Sequence, residues 1–118
     1  MLRIPDTSTI DPATARSWHD AGKAVLLDVR EAHEYQLEHA PGSLLYPLSY
    51  LEPSDYPRAL RGRVVLICQE GKRSLAAGRE LLQSGVSDLY SMDGGIDAWL
   101  KAGLPIEGTK HDPEDYAI

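Results

Sequence analysis

The residues best suited to chemistry lie at 68 to 74, where CQEGKRS follows the apolar run VVLI. Cys68 is the only thiol in the chain. A cysteine that closes an apolar strand is ordinarily a small, inert core residue. The residues after it argue for more. If a strand ends at Cys68 and a helix starts near Ser74, residues 69 to 73 form a tight loop whose backbone N–H groups can converge on one point. The positive end of the following helix adds to their field, so the loop favours an anion in front of it. Helix N-termini and neighbouring cations also favour a thiolate over a thiol. Gly71 permits a turn that a side chain would hinder. Lys72 and Arg73 bring two positive charges to the loop and Glu70 one negative charge. An inert core cysteine needs none of these features.

The elements that must position this loop alternate between strands and helices. Asp11-Pro12 reads as an N-cap followed by proline at the first helical position, and ATARSWHDAG continues as a short helix to Gly22. AVLLDV at 24 to 29 has the continuous apolar character of a buried parallel strand. EAHEYQLEH reads as a brief helix stopped by Pro41-Gly42, and SLLYPLS as a further short strand. Residues 49 to 60, interrupted by Pro53 and Pro57, predict loop or broken helix. RVVLICQ is the clearest strand, SLAAGRELLQSG an amphipathic helix, DLYSM a short strand and IDAWLKAG a last helix. Such alternation implies an α/β fold with a parallel sheet covered on both faces. Ligands in these folds bind beyond the carboxyl ends of the strands. That rule selects Asp28 and Arg30 after one strand, Cys68 after another and Met92-Asp93 after a third.

The 118 residues suit one compact domain, with a core over about 8–107 and a polar, acidic tail at 108–118 that is expected to be loosely ordered. Eighteen acidic residues outnumber twelve basic ones, for a net charge of −6, which disfavours nucleic acid as a partner. One cysteine cannot form an intramolecular disulfide, and neither a signal-like apolar stretch nor a membrane span is apparent, so a cytoplasmic location is expected. His19, His33, His39 and His111 lack close ligand partners and read as structural or surface residues; no metal is expected. Gly94-Gly95 reads as a turn, and Trp18 and Trp99 as core.

Taken in order, LLDVREAHEY, HAPGSLLYPL, CQEGKRS and YSMDGGIDAWLKAGLPI resemble the successive signature segments of a rhodanese domain, over residues 8 to 107. The resemblance implies a three-layer sandwich whose mostly parallel five-stranded sheet carries helices on both faces. It also implies a sulfurtransferase that needs no cofactor. Cys68 would take sulfur from a donor such as thiosulfate as a persulfide, then pass it to cyanide or a thiol. Gln69, Glu70, Gly71, Lys72 and Arg73 would form the substrate cradle with Arg30 near the pocket, and Asp28 and Ser74 would support it. Two-domain thiosulfate enzymes of this family carry cations where this sequence has Glu34 and Glu70. Lys72 and Arg73 are expected to replace them, with Glu70 facing away from the pocket.

Two rival readings use the same loop. Cysteine phosphatases and arsenate reductases place five residues between nucleophile and arginine, whereas Cys68 and Arg73 are separated by four. The other rival is a sulfur-relay or binding module, loaded only by a protein partner.

Overall fold

The computed structural model describes residues 6–111. Five strands, β1 (Ser8–Ile10), β2 (Val25–Asp28), β3 (Leu44–Leu45), β4 (Val64–Ile67) and β5 (Leu89–Met92), form one sheet in the order β1-β5-β4-β2-β3. Every pairing is parallel. The helices are α1 (Pro12–Asp20), α2 (Ala32–Leu37), α3 (Lys72–Gln83) and α4 (Gly95–Lys101).

Alternation along the strands divides the core in two. Leu26, Val65 and Ile67 point to one face, where they pack with Ala15 of α1 and Ile96 and Trp99 of α4. Leu27, Val64 and Leu66 point to the other, where they meet Ala77 and Leu81 of α3 together with Tyr56 and Leu60. Both faces of the central strands are therefore apolar, as a parallel sheet covered on two sides requires. No helix among the described residues is long and apolar enough to cross a membrane.

Local chemistry explains where the elements begin. Asp11 accepts a hydrogen bond from the Thr14 N–H at 2.7 Å and holds α1 at its proline-bearing first turn. That bond keeps the Asp11 carboxyl below its usual range. Gly71, at φ +95°, stands immediately before α3. The helix thus starts two residues earlier than the Ser74 expected from the sequence, with Lys72 and Arg73 in its first turn.

Several boundaries differ from the sequence reading. β1 has no counterpart in it, because Ser8-Thr9-Ile10 is short and largely polar and is fixed as a strand only by pairing with Tyr90, Ser91 and Met92. SLLYPLS yields only a two-residue strand at the edge of the sheet; the Tyr46 and Leu48 N–H groups still donate to the Asp28 and Val29 carbonyls, but the chain turns at once through a 3-10 segment at Leu48–Tyr50. Two more 3-10 turns, Pro53–Asp55 and Arg58–Leu60, occupy the proline-rich stretch. Residues 109 to 111, expected to be part of a loose tail, form a 3-10 turn held to the end of α2, where His111 Nε2 lies 2.9 Å from Glu38 Oε1. The rest of the expected tail, 112–118, lies outside the described residues.

The start of α4 carries the tightest backbone approach to the reactive loop. A Cβ at Gly95, which has φ +59°, would sit 2.3 Å from the Cys68 carbonyl oxygen and 2.5 Å from that of Gln69. Gly95→Ala is therefore expected to lower stability by roughly 2 to 4 kcal/mol, from the left-handed backbone and the carbonyl clash together. Urea unfolding measures this, and a loss below about 1 kcal/mol would contradict the close approach.

Candidate active site

β4 delivers Cys68 to the carboxyl edge of the sheet, where it is almost wholly buried at 1% exposure. The Gly71 N–H donates to Cys68 Sγ at 3.0 Å, closing the loop around the sulfur. That closure depends on the left-handed backbone of Gly71, which is also packed so closely on Gly94 that a Cβ would lie 3.1 Å from the Gly94 nitrogen. The Cys68 sulfur lies 3.4 Å from Ser74 Oγ, and Ser74 Oγ in turn lies 2.6 Å from Ser91 Oγ. Ser74 and Ser91 are both fully buried. When Cys68 is a thiolate, its sulfur can only accept; the Ser74 hydroxyl then donates to it and Ser91 donates to Ser74. When Cys68 is a thiol, Ser74 can turn its proton to the Gly71 carbonyl, 3.2 Å away. The pair of hydroxyls thus serves both states of the sulfur. Cys68, Gln69, Glu70, Lys72 and Arg73 line a cleft of about 150 Å³.

The loop is fastened from two sides. Its carbonyls face the start of α4, where the Ile96 N–H donates to the Cys68 carbonyl at 2.9 Å and the Asp97 N–H to the Gln69 carbonyl at 3.1 Å. The Gln69 side chain repeats the link, donating from Nε2 to Asp97 Oδ1 at 2.7 Å. From the other side Arg30 Nη1 donates to Gln69 Oε1 at 2.9 Å. Arg30 is itself buried against Asp28, with Nε and Nη2 on the carboxylate at 3.0 and 2.9 Å, and its Nη2 also reaches the Glu38 carbonyl at 2.7 Å. Two buried opposite charges with their hydrogen bonds satisfied make a rigid corner after β2. Arg30, expected beside the substrate, does not line the cleft; it acts on the loop through Gln69. Asp28 orients Arg30, and Gln69 is an anchor on both its amide atoms.

The cations are matched as well. Arg73 places Nη1 and Nη2 on the two carboxylate oxygens of Glu34, each at 2.7 Å. The Arg73 charge, expected to replace missing substrate-gripping cations, is thus held by Glu34, which stands at one of the positions where such a cation is missing. This bidentate pair, resisted by partial burial, brings the Glu34 carboxyl down to about 2 and raises Arg73 above its usual value. Lys72 and Glu70 are both well exposed, with Nζ 3.8 Å from Oε2. The Glu70 carboxylate therefore turns toward Lys72 and solvent at the rim of the cleft.

Four residues of this arrangement have parts that the sequence did not give them. Ser91 sits in a segment that reads only as a short strand. Glu34 stands 39 residues from its partner in the chain. Gly94-Gly95 reads as a turn, yet it is the surface against which the loop is moulded. The adjacency of GG to a helix start was the available signal.

The family model for the rhodanese-like domain matches residues 11–102. The chain belongs to the rhodanese-like family. Thiosulfate sulfurtransferase GlpE of Pseudomonas fluorescens is 36% identical over 107 residues, covering 89% of this chain and 94% of that protein. The uncharacterized protein slr1261 of Synechocystis sp. is 39% identical over 105 residues, and the match spans 59% of its length. Among solved structures, a rhodanese-related protein from Thermoplasma volcanium superimposes with a TM-score of 0.71 at 29% identity, covering 85% of this chain and 97% of that one. The α/β architecture, with its parallel five-stranded sheet, is therefore the rhodanese-like fold.

Two outcomes follow from the geometry. Folding lowers the proton affinity of Glu34, so the Glu34–Arg73 pair adds stability above the ordinary glutamate value of 4.5 and loses it as pH falls through about 2. The difference in melting temperature between the parent and Glu34→Gln should be constant above about pH 5 and shrink below it; a constant difference down to pH 2.5 or so would contradict the pair. Ser91→Ala, which removes the donor behind Ser74, should slow alkylation of Cys68 by iodoacetamide at neutral pH by roughly three- to tenfold, with little change in melting temperature. An unchanged rate would show that Ser91 has no part in presenting the sulfur.

Proposed function

We propose that this chain is a sulfurtransferase that carries sulfane sulfur as a persulfide on Cys68. The observation that carries the reading is the sulfur itself, buried at the bottom of a six-residue loop from Cys68 to Arg73 with the Gly71 N–H on it at 3.0 Å. The family membership and the likeness to GlpE support it.

The chemistry divides into two displacements. In the first, the Cys68 thiolate attacks the outer sulfur of the donor. A new S–S bond forms at Cys68 while the donor's S–S bond breaks, and its electron pair leaves on sulfite when thiosulfate is the donor, or on a thiolate when the donor is a persulfide. In the second, cyanide or an external thiol attacks the outer sulfur of the Cys68 persulfide, and the electron pair returns to Cys68 as thiolate. The sequence contains no second cysteine to resolve the persulfide, so the acceptor comes from outside. Gly71 and the hydroxyl of Ser74 are the donors that steady negative charge at the sulfur in both states. Gln69 and Arg30 hold the loop in shape, and Lys72 at the rim meets the incoming anion.

Phosphate chemistry fits less well. Four residues between Cys68 and Arg73 leave the loop one short of a phosphatase cradle, and both terminal nitrogens of Arg73 are held on Glu34. Mixing the protein with thiosulfate and cyanide should release thiocyanate, and Cys68→Ser should abolish that release while keeping the fold. An aryl phosphate should remain intact under the same conditions. Thiocyanate formation by Cys68→Ser, or phosphate release without thiocyanate by the parent, would overturn the assignment.

A further inference from the structure

Three cations stand in or beside the cleft, and each is met by a carboxylate. Arg30 is buried against Asp28, Lys72 lies 3.8 Å from Glu70, and Arg73 is gripped at both terminal nitrogens by Glu34. The third pair differs from the others in its consequence. Arg73 lines the cleft beside Cys68, so its guanidinium, with Lys72 at the rim, is a charge placed to meet an anionic donor. A fork-to-fork pair at 2.7 Å on each arm uses the donors that a sulfonate or sulfate-like group would need. Glu34 comes from α2, is largely shielded from solvent at 22% side-chain exposure, and also accepts from the Glu31 N–H at 3.2 Å, so it does not swing away freely. A dianion approaching Cys68 thus meets a balanced mouth and a thiolate.

We propose that Glu34 is a donor-specificity residue: by holding Arg73, it disfavours the thiosulfate dianion and leaves the cleft suited to sulfur delivered as the persulfide of an uncharged thiol. This rests on the sulfur-transfer reading above. Glu34 touches no reacting atom; it acts through Arg73.

Single-turnover loading of Cys68 is measured with two donors, thiosulfate and the persulfide of 2-mercaptoethanol, in the parent protein, in Glu34→Gln and in Glu34→Gln combined with Arg73→Gln. Glu34→Gln releases a full guanidinium charge into the mouth. It should raise loading efficiency with thiosulfate by roughly five- to tenfold, through a lower half-saturating concentration and not a faster limiting rate, and change the persulfide donor by less than about twofold. Adding Arg73→Gln should remove the gain. No gain with thiosulfate, or an equal gain with both donors, overturns the role of Glu34. A gain that survives the loss of Arg73 also overturns it. If Cys68 in the parent loads from neither donor, the sulfur-transfer reading falls and this inference with it. Loading from the persulfide without the predicted change in Glu34→Gln removes the inference alone. Glu34→Met, similar in length and also uncharged, replaces Glu34→Gln should that variant lose its fold.

Discussion

Two backbone hydrogen bonds tie the loop after β4 to the start of α4. The first amides of α4 have no partner inside their own helix, and they take the carbonyls of Cys68 and Gln69 instead. With its carbonyls turned toward α4, the loop presents its other side to the sulfur, and the Gly71 N–H reaches Cys68 Sγ. The contact is possible because Gly95 carries no side chain and adopts a positive φ; a Cβ there would strike the Cys68 and Gln69 carbonyls. Everything else at the site adjusts this arrangement. Parallel pairing of β4 with β5 brings the ends of the two strands to the same edge, so the loop after one can lean on the helix after the other.

Around that anchor the charges are arranged to hold shape more than to create a field. Asp28 and Arg30 form a buried corner that reaches Gln69, and Gln69 passes the link on to Asp97. Glu34 and Arg73 join α2 to the first turn of α3 beside the cleft. The sulfur is therefore surrounded by a rigid frame whose side-chain charges are matched, and the groups that address it directly are neutral: one backbone N–H and one hydroxyl backed by a second. A thiolate and a thiol can both be served by the same frame, because Ser74 and Ser91 need only rotate their protons.

The fold was legible in the sequence to the extent that it follows from local pattern. VVLI and AVLLDV announce central strands because both faces are apolar, and Asp11-Pro12 announces a helix because the cap and the proline act within one turn. What depends on distant pairing was not legible. Ser8–Ile10 becomes a strand only beside β5, and SLLYPLS shortens to two residues as the chain turns into a 3-10 segment at Leu48–Tyr50. At the site, Cys68 and its loop stood out by composition and spacing. Arg73 was read as a free cation, since nothing in a linear sequence tells that Glu34 lies against it. Arg30 was expected near the pocket, and it reaches the cleft through Gln69. The Ser91 hydroxyl was hidden in a segment that reads only as a short strand.

Intact-protein and peptide mass spectrometry after exposure to a sulfane-sulfur donor tests the central claim most directly. One added sulfur atom should be found on the peptide that contains Cys68 and on no other, and cyanide should remove it to regenerate the starting mass. A protein whose mass stays unchanged after full exposure to thiosulfate and to a small persulfide, or whose added sulfur lies away from Cys68, would contradict the account.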